Sequence, residues 1–243
     1  MKRQEPREQG GAAVWKMIYL ARRNPALRPE EFAQAWREHS ALGRQCRSVG
    51  QRVQAVAQCA RVLDMPAPAA ALSQDYDGVN LMVLSGREAG SDIWSDPETL
   101  AIMRPDEPRV FADYVRNFSL LCRQQVLHGS RSDDVLPQQG QVIVIGFLQR
   151  SDVWQGVAAL PQACPLQWQS GALARASRIV CNTVDAQAPD GYGYRHVLEW
   201  WFDTLEQAQA AVASIDVSAC AQGGEFGWGR HVLLLTQVTH SRP

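Results

Sequence analysis

Arg28-Pro-Glu-Glu-Phe-Ala-Gln-Ala-Trp-Arg-Glu-His-Ser-Ala-Leu-Gly43 carries the clearest helical signal in the chain, and a polar group out of place within it. Phe32, Ala35, Trp36 and Leu42 recur at the spacings that put one buried stripe on an α-helix. His39 falls on that stripe. Pro29 suits the first helical position, where no amide donor is needed, and Glu30 and Glu31 complement the positive end of the helix dipole. Arg28 stands where a Ser or Thr cap is usual, and Gly43 is expected to close the helix in a left-handed conformation.

An imidazole on a core-facing stripe has two readings. One is a neutral ring that donates a single hydrogen bond and does nothing else. The other is a general acid or base at the floor of an apolar pocket, because histidine titrates near neutral pH and burial shifts it readily.

On either side of this helix the chain reads as strands. Val14 to Ala21 is apolar and aromatic and ends at the turn signal Arg23-Asn-Pro25. Gln51 to Leu63 alternates loosely, and Asp77-Gly78 opens a third strand, Val79 to Ser85. Short helical turns over Ile93 to Met103 and Phe111 to Val115 lead to a fourth strand, Ser119 to His128. This order, β-α-β-β-α-β, is the ferredoxin-like pattern. Gly129 to Gly140 is polar and turn-rich, as a linker is.

The second half repeats the order less clearly. Gln141 to Leu148, Ala176 to Val184, Tyr194 to Phe202 and His231 to Thr239 read as strands, Asp152 to Leu160 as a short helix, and Thr204 to Ile215 as a helix capped by Thr204. Gly78 to Ser85 aligns with His196 to Asp203, Val79 on Val197 and Leu84 on Phe202. Each unit leaves one sheet face without helices, and joining the two faces buries both. The expected architecture is α+β: tandem ferredoxin-like repeats forming a pseudo-dimeric α+β barrel within one chain. Its parts are a disordered tail at 1–11, units at 12–128 and 141–240, and a linker at 129–140.

Charge is balanced, 24 Lys plus Arg against 25 Asp plus Glu, which removes the footprint of a nucleic-acid binder. Six cysteines show no paired or zinc-like spacing and read as reduced thiols of a cytoplasmic protein. Met1 to Gly11 does not read as a secretory signal or an anchor, and no segment reads as membrane-spanning; with charge balanced, a small hydrophobic molecule is the expected partner, for a monomer or a homodimer. Gly223 to Gly229 is glycine-rich but lacks the Lys-Ser/Thr of a phosphate loop. No cofactor or metal is expected; His128, His196, His231 and His240 show no metal spacing, and a haem ligand stays open.

Several pieces resemble, in order, the EthD-like family of the dimeric α+β barrel superfamily. They are Met17-Ile-Tyr-Leu-Ala-Arg-Arg23, Pro29-Glu-Glu-Phe32 with Trp36 and His39 in a Phe-x-x-x-Trp-x-x-His arrangement, Asp77-Gly-Val79, Asp96-Pro97, and Asp106-Glu107 with Phe111 and Asp113. The resemblance covers residues 14 to 128 well and 141 to 239 in outline. The family's third-strand glutamate is replaced here by Leu81, whereas the aligned position in the second half is Glu199. The second half has Trp154 but no Trp-x-x-His helix, so two equivalent sites are not expected. Superfamily members include polyketide cyclases, lactone isomerases, cofactor-free monooxygenases and haem enzymes, so the resemblance implies a scaffold and not one reaction.

Strand alternation sets which side chains can meet. Met17 and Tyr19 share a face, and Arg195, Val197, Glu199 and Trp201 are expected inside the barrel, with Leu198, Trp200 and Phe202 under helices. His39, Tyr19 and Glu199 are the catalytic candidates; Met17, Trp36, Asn80, Arg195 and Trp201 are the candidates for binding substrate. Glu199 has an alternative reading as the ion-pair partner of Arg195, and Tyr19 as ordinary core. An apolar cavity with these groups suits a cofactor-independent lyase, isomerase or cyclase acting on an aromatic or polyketide-like carbonyl or phenol. A non-catalytic small-molecule-binding protein and a cofactor-free monooxygenase are the alternatives.

Overall fold

A computed structural model of the chain describes residues 13–65, 71–129, 136–150, 172–185, 187–215 and 228–242. Eight antiparallel strands close into a barrel. They are β1 (Trp15–Ala21), β2 (Val53–Arg61), β3 (Gly78–Leu84), β4 (Ser119–His128), β5 (Val142–Arg150), β6 (Arg178–Val184), β7 (Tyr194–Phe202) and β8 (Trp228–Arg242). Around the barrel they run β1-β3-β2-β8-β5-β7-β6-β4. The first four strands are therefore neighbours in the order β4-β1-β3-β2 and the last four in the order β8-β5-β7-β6, and the halves meet edge to edge at β2–β8 and β4–β6. Closure leaves no free edge among the described strands.

Alternation along each strand divides the core into layers. Ile18, Leu20, Ala57, Val79, Leu81, Leu120, Ile145, Phe147, Val197 and Leu234 fill the barrel interior. Outside the second half, Leu198, Trp200 and Phe202 lie under Ala208, Ala211 and Val212 of the helix Leu205–Ala213, whose start Thr204 caps by accepting from the Gln207 amide. Outside the first half lie α1 (Pro29–Leu42), α2 (Arg47–Arg52), α3 (Ala89–Asp92), α4 (Pro97–Ile102) and α5 (Glu107–Val110); with these, Leu205–Ala213 is α6. Among the described residues no helix is long and apolar enough to cross a membrane.

β4 and β7 have the expected bounds, and β8 is longer than expected because it serves both halves, pairing with β5 from Trp228 and with β2 as far as Arg242. Three local expectations are corrected. Gly43 is right-handed, φ −58°, and leads from α1 straight into a 3₁₀ turn. Phe111 to Val115 is not helical, because Phe111 forms a bridge with Arg23 while turns flank it at Glu107–Val110 and Val115–Phe118. α2 was not anticipated, since Gly50 breaks an already short polar run. The helix expected over 152–160, the tail at 1–11, residues 130–135 of the linker and residues 223–227 fall outside the described residues.

Candidate functional site

The outer face of the first half is a floor made of two cross-strand rows. Register places Met17, Met82, Val56 and Arg242 in one row across β1, β3, β2 and β8, and Tyr19, Asn80, Gln58 and His240 in the next. α1 lies over this floor. It starts without a side-chain cap, but the Arg28 amide donates to Glu31 Oε2 at 2.9 Å, which satisfies the start from the other direction. Trp36 descends onto Gly78, where a Cβ would come within 2.8 Å of its ring and 2.7 Å of the Cys59 carbonyl oxygen. Asp77 fixes the same corner by accepting from the Arg23 amide and guanidinium at 2.9 and 2.7 Å.

Between floor and helices is a pocket of about 600 Å³, including the part open to solvent. Met17, Val49, Val56, Met82, Ile93 and Met103 supply apolar wall, and Tyr19, His39, Asn80, Glu107 and Arg242 supply polar groups. His39 is 4% exposed, with its ring edge-on to Phe111 at 5.4 Å between centroids. Its Nδ1 is 2.9 Å from Asp106 Oδ2. Asp106 is also held by Arg109, through Nε at 2.7 Å and Nη2 at 3.0 Å, and this guanidinium keeps the carboxyl below the usual carboxylate range. An ionised Asp106 can only accept, so Nδ1 of His39 carries the proton and Nε2 presents a lone pair. Nε2 has no protein partner among the described residues. Burial pulls the imidazole below its ordinary basicity, with Asp106 opposing, so the neutral form prevails near neutral pH.

Tyr19 accepts from Trp36 Nε1 at 3.0 Å, and its own proton has no protein acceptor among the described residues. Burial pushes this phenol upward, so it remains a donor. Asn80 is 1% exposed and its Nδ2 has no partner among the described residues. Glu107 accepts from the Val115 amide at 3.0 Å while burial raises its carboxyl above the usual value. Trp36 is wholly buried and meets the pocket through Tyr19, not as part of its wall.

Met17, Tyr19, His39 and Asn80 thus come together, whereas Glu199 and Trp201 do not join them. The latter two face the barrel interior, on the other side of the sheet. Glu199 there accepts from Lys16 Nζ at 2.8 Å, Asn182 Nδ2 at 2.8 Å and Trp201 Nε1 at 3.0 Å. Lys16 and Glu199 are both 0% exposed. Arg195 was expected in the interior beside Glu199 and is instead exposed. The pairing of β5 with β7 shifts between Leu148–His196 and Gln149–Tyr194, so Tyr194 takes the inward place and Arg195 is turned out. The ion-pair reading of Glu199 holds in kind, with Lys16 in place of Arg195.

Sequence reading assigned no role to Asp106, Glu107, Arg242, Lys16 or Asn182. Asp106 is 67 positions from His39, beyond any helical or strand period. Lys16 did carry a signal: it is the one charged residue in the strand Trp15–Ala21 and alternates in step with Ile18 and Leu20. Among the described residues no group of three or more His, Cys, Asp or Glu is placed to hold a metal ion.

No protein-family model and no curated protein matches the chain. Solved structures do. An anthrone oxidase-like protein is similar with a TM-score of 0.60 and 13% identity over 96% of this chain and 93% of that one. A variant chlorite dismutase from Candidatus Nitrospira defluvii, complexed with cyanide, is similar with a TM-score of 0.51 and 10% identity over 93% and 91%. The chain shares with them the dimeric α+β barrel fold.

Proposed function

We propose that the pocket over β1, β3 and β2 carries out proton-transfer chemistry on a hydrophobic carbonyl or phenolic molecule without a cofactor, as a lyase, isomerase or cyclase. The observation that carries this reading is the state of His39: neutral, its Nδ1–H held by Asp106, and its Nε2 without a protein partner at the wall of an apolar pocket. Nε2 takes a proton from carbon next to a carbonyl, the C–H electrons pass to the carbonyl oxygen, and the oxyanion receives hydrogen bonds from the Tyr19 hydroxyl and Asn80 Nδ2. Asp106 then balances the imidazolium. The order of strands in each half supports reading the chain as two ferredoxin-like units, of which the first, with its Trp36 and His39 helix, is EthD-like. Cys46, Cys59 and Cys122 are buried free thiols, which suits the reducing cytoplasm.

The likeness to an anthrone oxidase-like protein favours a second reading on the same residues, a cofactor-free oxygenase, since oxidation of such a ketone also begins with loss of the ring-carbon proton. Anthrone therefore serves as a probe for both. The protein should accelerate exchange of the anthrone methylene protons into deuterium oxide, followed by NMR, and His39→Gln should slow that exchange by about 10²–10⁴-fold. Oxygen uptake with the same compound separates the oxygenase from the isomerase reading. Exchange at the wild-type rate in His39→Gln would remove His39 from the chemistry. A haem iron would compete for the same Nε2, so a haem absorption band in the purified protein would overturn the cofactor-free reading.

A further inference from the structure

Two of the polar side chains that line the pocket carry buried donors without acceptors among the described residues; Gln58 Oε1, a buried acceptor without a donor, belongs to the floor row but not to the lining. Asn80 Nδ2 and Arg242 Nε are both buried donors without an acceptor, and Arg242 lines the pocket at the end of the row Met17, Met82, Val56. No acidic side chain among the described residues lies within 4.0 Å of the Arg242 charge, and the same holds for Arg37, Arg44 and Arg178, whereas Arg23, Arg28, Arg47, Arg52, Arg61, Arg87 and Arg109 have such partners. Burial first, and Arg44 second, disfavour the charge on Arg242; burial first, then Arg242, Arg37 and Arg44, lower the basicity of His240. The one acidic residue of the pocket wall, Glu107, is held by the Val115 amide, and burial moves it towards its neutral form. In a chain with net charge −1, this corner is locally basic and holds two donors that no described residue satisfies. An unpaired buried donor is costly, and a planar guanidinium is matched by a planar oxyanion.

We propose that the ligand of this pocket is an acid: an apolar or aromatic body over the methionines and valines, with a carboxylate seated on Arg242. This rests on the same pocket as the proton-transfer reading and adds the class of substrate. It assigns Arg242 to choosing the substrate and orienting it along the row from β1 to β8, while His39 acts at the other part of the molecule.

The test compares 2-naphthoate with 2-naphthylmethanol, which has the same ring and no charge, by fluorescence titration of the full chain. The wild-type protein should bind the acid at least tenfold more tightly than the alcohol, and rising salt should narrow the gap. Arg242→Ala should bring the ratio close to one, and Arg242→Lys should keep part of it. Circular dichroism of each variant verifies that the barrel persists. Equal binding of the two compounds by the wild type, or an unchanged ratio in folded Arg242→Ala, would overturn the assignment of an acid while leaving the His39 pocket in place. Failure of both compounds to bind would overturn the pocket as an aromatic site, and this proposal with it.

Discussion

Neutral imidazole is the form His39 needs in order to accept a proton, and two opposed influences set it. Burial disfavours the charged ring, while Asp106, hydrogen-bonded to Nδ1, favours it. The folded-state pKa lies below the ordinary value, so the unfolded chain binds more protons between the two values and this group subtracts stability as pH falls through that window. Asp106→Asn removes the favourable charge, so the His39 pKa should fall further, and any acid limb of activity should move to lower pH. NMR titration of the His39 ring protons in wild type and Asp106→Asn checks this; a rise, or no change, would show that Asp106 does not govern the ring. Asparagine can also donate to Nδ1 and so move the ring proton to Nε2, which would remove the lone pair that the proposed step requires.

Between α1 and β3 the packing depends on one absent methyl group. Gly78→Ala would place a Cβ 2.7 Å from the Cys59 carbonyl oxygen and 2.8 Å from the Trp36 ring, both inside van der Waals distance. The backbone oxygen cannot yield, so Trp36 must shift and with it the hydrogen bond that fixes the Tyr19 hydroxyl. We expect a loss of about 1–3 kcal/mol in urea unfolding, the usual cost of an overpacked core, and disturbed resonances for Tyr19. Much of this was legible in the chain. The stripe Phe32, Ala35, Trp36 and Leu42, with His39 on it, identified α1 and its buried face, although Leu42 is only half-buried, and alternation put Met17 and Tyr19 together. Asp77-Gly78 read as a strand opening, although the need for glycine comes from a tryptophan 42 positions earlier, which no local pattern records. Arg195 misled because a bulge is one added residue, and period-two reasoning carried across it assigns the wrong face.

The barrel as a whole is tied across its interior by Lys16 on β1 and Glu199 on β7, one from each half. Two charges removed from water gain little net energy from each other, but either one left alone is expensive. Lys16→Met or Glu199→Leu should each cost about 3–5 kcal/mol, whereas the double variant should recover most of that loss. Chemical denaturation of the four proteins measures the coupling, and additive losses would show that the pair is not a unit. This contact was invisible before the fold was known, because its partners are 183 positions apart. β8 raises a matter of time. Joined to β2 on one side and β5 on the other, with Val56 opposite Arg242, it makes one of the two seams, with β4–β6, that turn the sheets into a cylinder. Bringing such distant segments together carries a large loop-closure cost before any pairing rewards it, so the cylinder shuts late. Until then β2 and β5 each expose an open edge, where β8 of another copy can pair in place of its own when protein concentration is high. The route to the native state therefore runs through a stage at which crowding decides whether chains close on themselves or exchange strands.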